Sequence, residues 1–240
     1  MMRDNTNEIN GKWEFDENVT KVFGDMLSRS IPNYETMRSL CFVLGKDFIK
    51  NGCTTVDMGC SNGLSIESFV KKFPEHDFFL CDVSEPMLDS CKERFSGFEK
   101  VRVINSDLRN GVPIKNVDLA LSILTLQFTP IEYRQNIIQS VYDNLIDGGA
   151  FILVEKVLGN SARIDDLFVK EYYNLKKENG YTQEQIANKR KSLEGVLVPL
   201  TSSFNEHLLH QVGFKYIDCF FRCLNFAGWI AIKNNIYGKV

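Results

Sequence analysis

Two glycines and three aspartates, spread over residues 57–107, are the residues in this sequence best suited to hold a small charged ligand. Val56-Asp57-Met58-Gly59-Cys60-Ser61-Asn62-Gly63 lies between a short strand-like run, Thr54 to Met58, and a helical run from Leu64 to Lys72. Glycine at 59 and 63 permits a tight turn and lets a ligand rest on bare backbone. The spacing is G-x-x-x-G, unlike the G-x-G-x-x-G of pyrophosphate-binding turns. The carboxylate of Asp57, just ahead of the first glycine, suits an ammonium group held directly or through water. Taken alone, the loop also fits a plain strand-to-helix turn. Asp82 stands 23 residues beyond Gly59, at the end of a second strand-like run, where an acid can accept hydrogen bonds from both ribose hydroxyls. Helix capping is the plainer role there, but Ser84 is at hand for it. Ser106-Asp107-Leu108 follows a third such run. An acceptor at that point can take an adenine amino group while the backbone supplies the donor. Asp57, Gly59, Asp82 and Asp107 together describe a site for S-adenosylmethionine.

Those residues need a scaffold, and the apolar pattern supplies one. Strand-like runs at Thr54–Met58, Asp77–Cys81, Val101–Asn105, Val117–Leu124 and Ala150–Glu155 alternate with helical ones. The fourth is almost wholly apolar, as in a strand covered on both faces. Helical spacing also marks residues 16–29 and a stretch from Pro32 to Phe48, both ahead of the first strand. Residues 159–195 interrupt the alternation with two helices joined at Asn179-Gly180-Tyr181, the second opened by a Thr182/Gln185 capping box. Ser203 and Glu206 have the same spacing and predict another helix start. Phe214–Phe221 and Leu224–Ile232 close the chain as an antiparallel hairpin. This order predicts a Rossmann-like α/β fold: a seven-stranded, mostly parallel sheet with an antiparallel edge hairpin and helical lid insertions. Residues 1–50 form an N-terminal helical cap. Residues 51–240 form the binding domain, with an insertion at about 159–195. Ligands bind at the carboxyl ends of such strands, so cap and insertion belong above the glycine loop. Residues 1–12 are polar and expected to be mobile.

Composition removes several other functions. A net charge of −3 gives no surplus for nonspecific nucleic-acid binding, and the local run Lys189-Arg190-Lys191 reads as a solvated helix face. Seven scattered cysteines contain no CxxC pair, so no metal site is expected. No apolar stretch approaches a membrane span, and the polar start lacks the run of an export signal. Free thiols without such a signal point to the cytoplasm. His76 lies in a polar loop, and His207 and His210 read as structural.

A wider set of segments resembles one family. Trp13-x-Phe15-Asp16-Glu17-x-Val19, Phe23-x-Asp25-Met26, Arg29-Ser30-x-Pro32-x-Tyr34 and Thr125-Leu126-Gln127-Phe128 are similar to carboxy-S-adenosylmethionine synthases. So are Glu155-Lys156, Asn179-Gly180-Tyr181, Lys189-Arg190-x-x-Leu193-Glu194 and Cys223-x-Asn225-Phe226. The resemblance covers roughly residues 12–233. It implies a homodimeric transferase in which prephenate becomes phenylpyruvate while its carboxyl is captured by the methyl group of S-adenosylmethionine. The product, carboxy-S-adenosylmethionine, then serves a partner enzyme that modifies a tRNA wobble uridine, with no direct nucleic-acid contact by the synthase. The resemblance assigns ligand contacts to Tyr34, Gly59, Cys60, Ser61, Asp82, Val83, Asp107, Leu108 and Arg190. To these the loop adds Asp57 and Gly63. Arg190 has the sharpest implied role, since a guanidinium can fork onto the transferred carboxyl. Tyr34 is the second candidate at the reacting centre. One position departs from the family: Ile123 stands where it has asparagine. An apolar lining at Ile123 raises an alternative, a methyltransferase acting on a small molecule.

Overall fold

Local sequence explains where the helices begin. The computed structural model describes residues 11–234, so the expectation for the polar start falls mostly outside the described residues, as does the end of the 51–240 span. Asp16 caps α1 (Glu17–Ser30) by accepting from the Val19 N–H at 2.8 Å, and Val19, Phe23 and Met26 turn inward. The chain reverses at Asn33, whose φ of 54° is left-handed, and α2 (Tyr34–Gly45) follows. Asparagine tolerates that conformation better than most residues.

The parallel core is built from β1 (Thr54–Met58), β2 (Asp77–Asp82), β3 (Val101–Asn105), β4 (Val117–Ile123) and β5 (Leu145–Leu158). Between them run α3 (Glu67–Lys72), α4 (Glu85–Arg94) and α5 (Ile131–Asn144). After β5 come α6 (Ala162–Glu178), α7 (Gln183–Leu193), the two-residue β6 (Leu200–Thr201) and α8 (Ser202–Gln211). β7 (Tyr216–Cys223) and β8 (Phe226–Ile232) close the fold. The main sheet runs β3-β2-β1-β4-β5-β8-β7, with β6 pairing the end of β5. β8 is antiparallel to both β5 and β7. The strand order reverses between β1 and β4, and a crevice opens at such a point above the strand ends.

Apolar side chains alternate between the two faces. Phe78, Leu80, Leu119 and Leu121 pack on one side, and Val56, Met58, Ala120 and Phe151 on the other. Every residue of β4 is buried, as its composition predicts. Trp229 of β8 is fully buried and donates from Nε1 to Glu206 Oε1 at 2.8 Å. Truncating an aromatic in such a place costs about 3–5 kcal/mol.

Two expectations of local structure need correction. The helix predicted from Leu64 is shorter, because the chain turns until Ile66 before α3 begins. α5 passes directly into β5 at Leu145, so Gly148-Gly149 lies inside the strand. α8 is capped by Thr201, which accepts from the Phe204 N–H at 3.2 Å; Glu206 is drawn away by Trp229, so no Ser203/Glu206 box forms. His76 does lie in the loop before β2, where it is buried against β1. Its Nε2 is 3.0 Å from Thr55 Oγ1, whose hydroxyl donates to Asp118 Oδ1.

Candidate functional site

The glycine loop is pinned to its neighbours by backbone bonds. Gly59 and Cys60 both donate to the Cys81 carbonyl, at 2.7 and 2.9 Å. Gly59 has φ +73°, and a Cβ there would collide with the Thr125 side chain. Gly63 has φ +80°, and a Cβ would strike Phe95. Both positions therefore require glycine for conformation and for space. Asp82 Oδ2 accepts from the Ser61 N–H at 2.9 Å. Its Oδ1 accepts from Val83 and Ser84, at 2.8 and 3.0 Å. The carboxylate is thus oriented by three main-chain donors, and Ser84 caps α4 as expected. Asp107 is gripped by Arg109, which donates from its N–H and Nε at 2.9 and 3.0 Å, and this lowers the carboxyl pKa.

Asp57 lies behind the loop. It is buried, and its Oδ2 has no hydrogen-bond partner. Burial first, and the neighbouring Asp82 second, push its carboxyl up to about 7. An ammonium group would satisfy that orphaned oxygen and draw the proton off. A bare-backbone loop, a carboxylate oriented by the main chain at the end of β2 and a buried acid with an unsatisfied oxygen fit S-adenosylmethionine.

A cavity of about 550 Å³ runs over the strand ends, within the usual range for small-molecule sites. The structure brings Tyr34, Gly59, Cys60, Ser61, Asp82, Val83, Asp107, Leu108 and Ile123 to its wall. Asp57 and Gly63 support the loop from outside that lining. Tyr34 opens α2 and is buried; desolvation, partly opposed by Arg38, pushes its phenol up to about 12, so it is a neutral hydrogen-bond donor. Ile123 faces the cavity while Ser122 points away, following strand alternation. Leu124 N–H donates to the Val154 carbonyl at 2.7 Å, which ties the end of β4 to that of β5.

The basic run on α7 does not behave as one solvated face. Lys189 folds inward, its Nζ 3.1 Å from the centroid of the Trp13 ring. Arg190 is directed outward, with 68% of its side chain exposed and its Nε 4.0 Å from Glu194. Successive helical side chains diverge by about 100°, so the two cannot share one wall. Arg190 does not line its own chain's cavity.

The wall also takes in residues to which the sequence assigned no ligand contact. Trp13, Thr125, Lys156, Tyr172, Lys176 and Phe226 come from five separated segments, Tyr172 and Lys176 both being on α6. The turn holding Thr125 rests on Glu155, a buried acid toward which the main-chain N–H groups of Thr125, Leu126 and Gln127 turn. Burial outweighs those donors and Arg134, and pushes Glu155 up to about 8. Gln127 Oε1 in turn accepts from the Lys156 N–H at 2.7 Å.

Residues 55–149 match a family model described as a methyltransferase domain. A carboxy-S-adenosyl-L-methionine synthase of Methylococcus capsulatus is 40% identical over 224 residues, covering 91% of this chain and 93% of that protein. This chain belongs to the carboxy-S-adenosyl-L-methionine synthase family. An Escherichia coli member is 35% identical over 231 residues, covering 93% of this chain and 92% of its own. An O-methyltransferase family protein from Burkholderia thailandensis has the same fold, with a TM-score of 0.63 at 14% identity, over 94% of this chain and 62% of that one. The synthase relatives match well beyond residues 55–149, across the span that supplies the helices over the cavity.

Proposed function

We propose that this chain transfers the ring carboxyl of prephenate to S-adenosylmethionine, forming carboxy-S-adenosylmethionine, phenylpyruvate and water. The observation that carries this reading is where the cavity wall comes from. Its outer half is built largely from segments that lie outside the methyltransferase match, and the similarity to a synthase extends over 91% of the chain. In the reaction, the ring carbon–carboxyl bond breaks as the ring hydroxyl leaves and aromaticity is restored. The departing hydroxide takes a proton from the S-methyl group, and that carbon bonds to the released carboxyl carbon. Atoms and charge balance without an added oxidant or base.

The chain's own groups position and shield this exchange. Asp57 holds the ammonium group, Asp82 the ribose, and Asp107 with the Leu108 backbone the adenine. Tyr34 donates a hydrogen bond near the reacting carbon. Closing water out keeps the released carboxyl carbon in place long enough to be captured. Arg190 is exposed and outside its own cavity, which supports a homodimer in which it reaches the partner's site and grips the transferred carboxyl. Residues 1–50 then act as a cap and residues 159–195 as an insertion over the 51–240 domain. The product is consumed by a separate tRNA-modifying enzyme in the cytoplasm. Among the described residues no helix is long and apolar enough to cross a membrane.

Ile123 at the wall motivates the second reading, methyl transfer to an apolar small molecule. Mass spectrometry of the ligand released from purified protein separates the two. The synthase reading expects the carboxylated cofactor, and phenylpyruvate on adding prephenate. Unmodified or demethylated cofactor alone, with no phenylpyruvate formed, overturns it. Arg190→Ala is expected to abolish the preference for the carboxylated cofactor over S-adenosylmethionine, while leaving binding of the latter within about threefold.

A further inference from the structure

We propose that Lys156, with Lys176 beside it, forms the subsite for the carboxylate that the donor keeps: the 2-oxo acid group that leaves with phenylpyruvate. This rests on the carboxyl-transfer reading and deepens it. A prephenate-like donor carries two carboxylates, and only one is transferred. The other must be held if the ring carboxyl is to face the S-methyl group in one orientation, and an enclosed carboxylate needs a cation.

Position points to Lys156. It sits at the carboxyl end of β5, beside the β4 end that carries Ile123 and Thr125. Asp82 and Asp107, the adenosyl side of the cavity, lie at the ends of β2 and β3. In the order β2-β1-β4-β5 this is three strand spacings from Asp82 to Lys156, about 14 Å. The ammonium group therefore stands across the glycine loop from the ribose.

Charge leads to the same residue. The other cations on the wall have visible tasks: Arg109 grips Asp107, and Lys189 covers Trp13. Among the described residues, Lys156 has no carboxylate within 4.0 Å and no hydrogen-bond acceptor for its Nζ. Its Nζ lies 5.0 Å from the centroid of Tyr172, a buried ring that favours a cation without neutralising it. Burial disfavours the charged form of Lys156, and Asp165 only partly restores it. The buried Lys176 places its own Nζ 5.6 Å from the same ring and 5.0 Å from Tyr181. Two ammonium groups thus lie near one buried aromatic ring at the cavity wall, an arrangement that suits an anion and has no use for an apolar methyl acceptor.

Lys156→Met keeps the length of the side chain and removes the charge; Lys156→Arg keeps the charge. Binding of phenylpyruvate, and of phenylacetone as its carboxylate-free analogue, to protein saturated with demethylated cofactor reads the subsite directly. Wild type is expected to prefer phenylpyruvate, Lys156→Met to lose that preference with about 30-fold weaker binding, and Lys156→Arg to recover part of it. KM for prephenate is expected to rise in parallel, while the Kd for S-adenosylmethionine stays within about twofold. The proposal is overturned if Lys156→Met keeps the preference, if wild type has none, or if the Kd for S-adenosylmethionine rises by the same factor. The last result would mean that Lys156 holds the cofactor's own carboxylate. Failure of the wild type to make the carboxylated cofactor overturns the carboxyl-transfer reading instead, and the binding comparison still reports on the subsite.

Discussion

The two halves of the cavity are built differently. The half above β1, β2 and β3 is made of residues close to one another along the chain, each fixed by neighbouring backbone: Gly59 and Cys60 on the Cys81 carbonyl, Asp82 on three N–H groups, Asp107 on Arg109. The half above β4 and β5 is assembled from Trp13, Tyr34, Ile123, Lys156, Tyr172 and Lys176, which come from five widely separated segments. Under the proposed function, the first half holds a cofactor that many transferases share, and the second half decides what reacts with it.

If that division holds, damage to the first half abolishes cofactor binding outright. Gly59→Val has the largest expected effect, because both the left-handed φ and the Thr125 contact forbid a branched side chain. Calorimetry should show at least about a 100-fold loss of S-adenosylmethionine affinity, with the circular dichroism spectrum retained.

Asp57 gives the next largest effect and carries a pH signature. In the free protein its carboxyl sits near 7, and an ammonium partner requires the charged form. Below that pH binding must expel a proton, so affinity should rise with pH by up to about tenfold per unit and flatten above about 7.5. Asp57→Asn should remove that slope, and an unchanged slope would disconnect Asp57 from the ligand.

Glu155 tests the support beneath the second half. Its folded pKa near 8 exceeds the unfolded value of about 4.3. Between those values the folded state keeps a proton that the unfolded state has lost, so its contribution to stability shrinks as pH rises through that window. Glu155→Gln should flatten the profile, raising thermal stability by about 1–2 kcal/mol at pH 8.5 and by almost nothing at pH 4. A loss at both pH values would show that the charge itself is needed beside Arg134.

The smallest effect belongs to Ile123→Asn, which restores the family residue. S-adenosylmethionine affinity should change by less than about threefold, while the ratio of carboxylated to unmodified ligand copurified with the protein should rise.

The sequence conveyed β1 to β4 almost to the residue, because they are short runs bounded by turn residues, while β5 extends beyond the expected Ala150–Glu155 at both ends. The Thr182/Gln185 box was legible for the same reason, being a bond between residues three apart. The Ser203/Glu206 pair misled, since the same spacing was outbid by Trp229, a partner from another strand. Lys189 read as surface, and its aromatic partner lies far away near the chain's start.

The sequence by itself determined the glycine loop, the acids around it and the alternation of strands and helices that positions them. Those depend on φ, hydrogen bonds and periodicity within a few residues of each position. Only the tertiary structure decided that Arg190 faces outward, that Asp57 lacks a partner for one oxygen, and that Lys156 and Lys176 meet at Tyr172. Burial and charge at those positions are set by side chains that approach across the fold, and no local pattern encodes which of them will arrive.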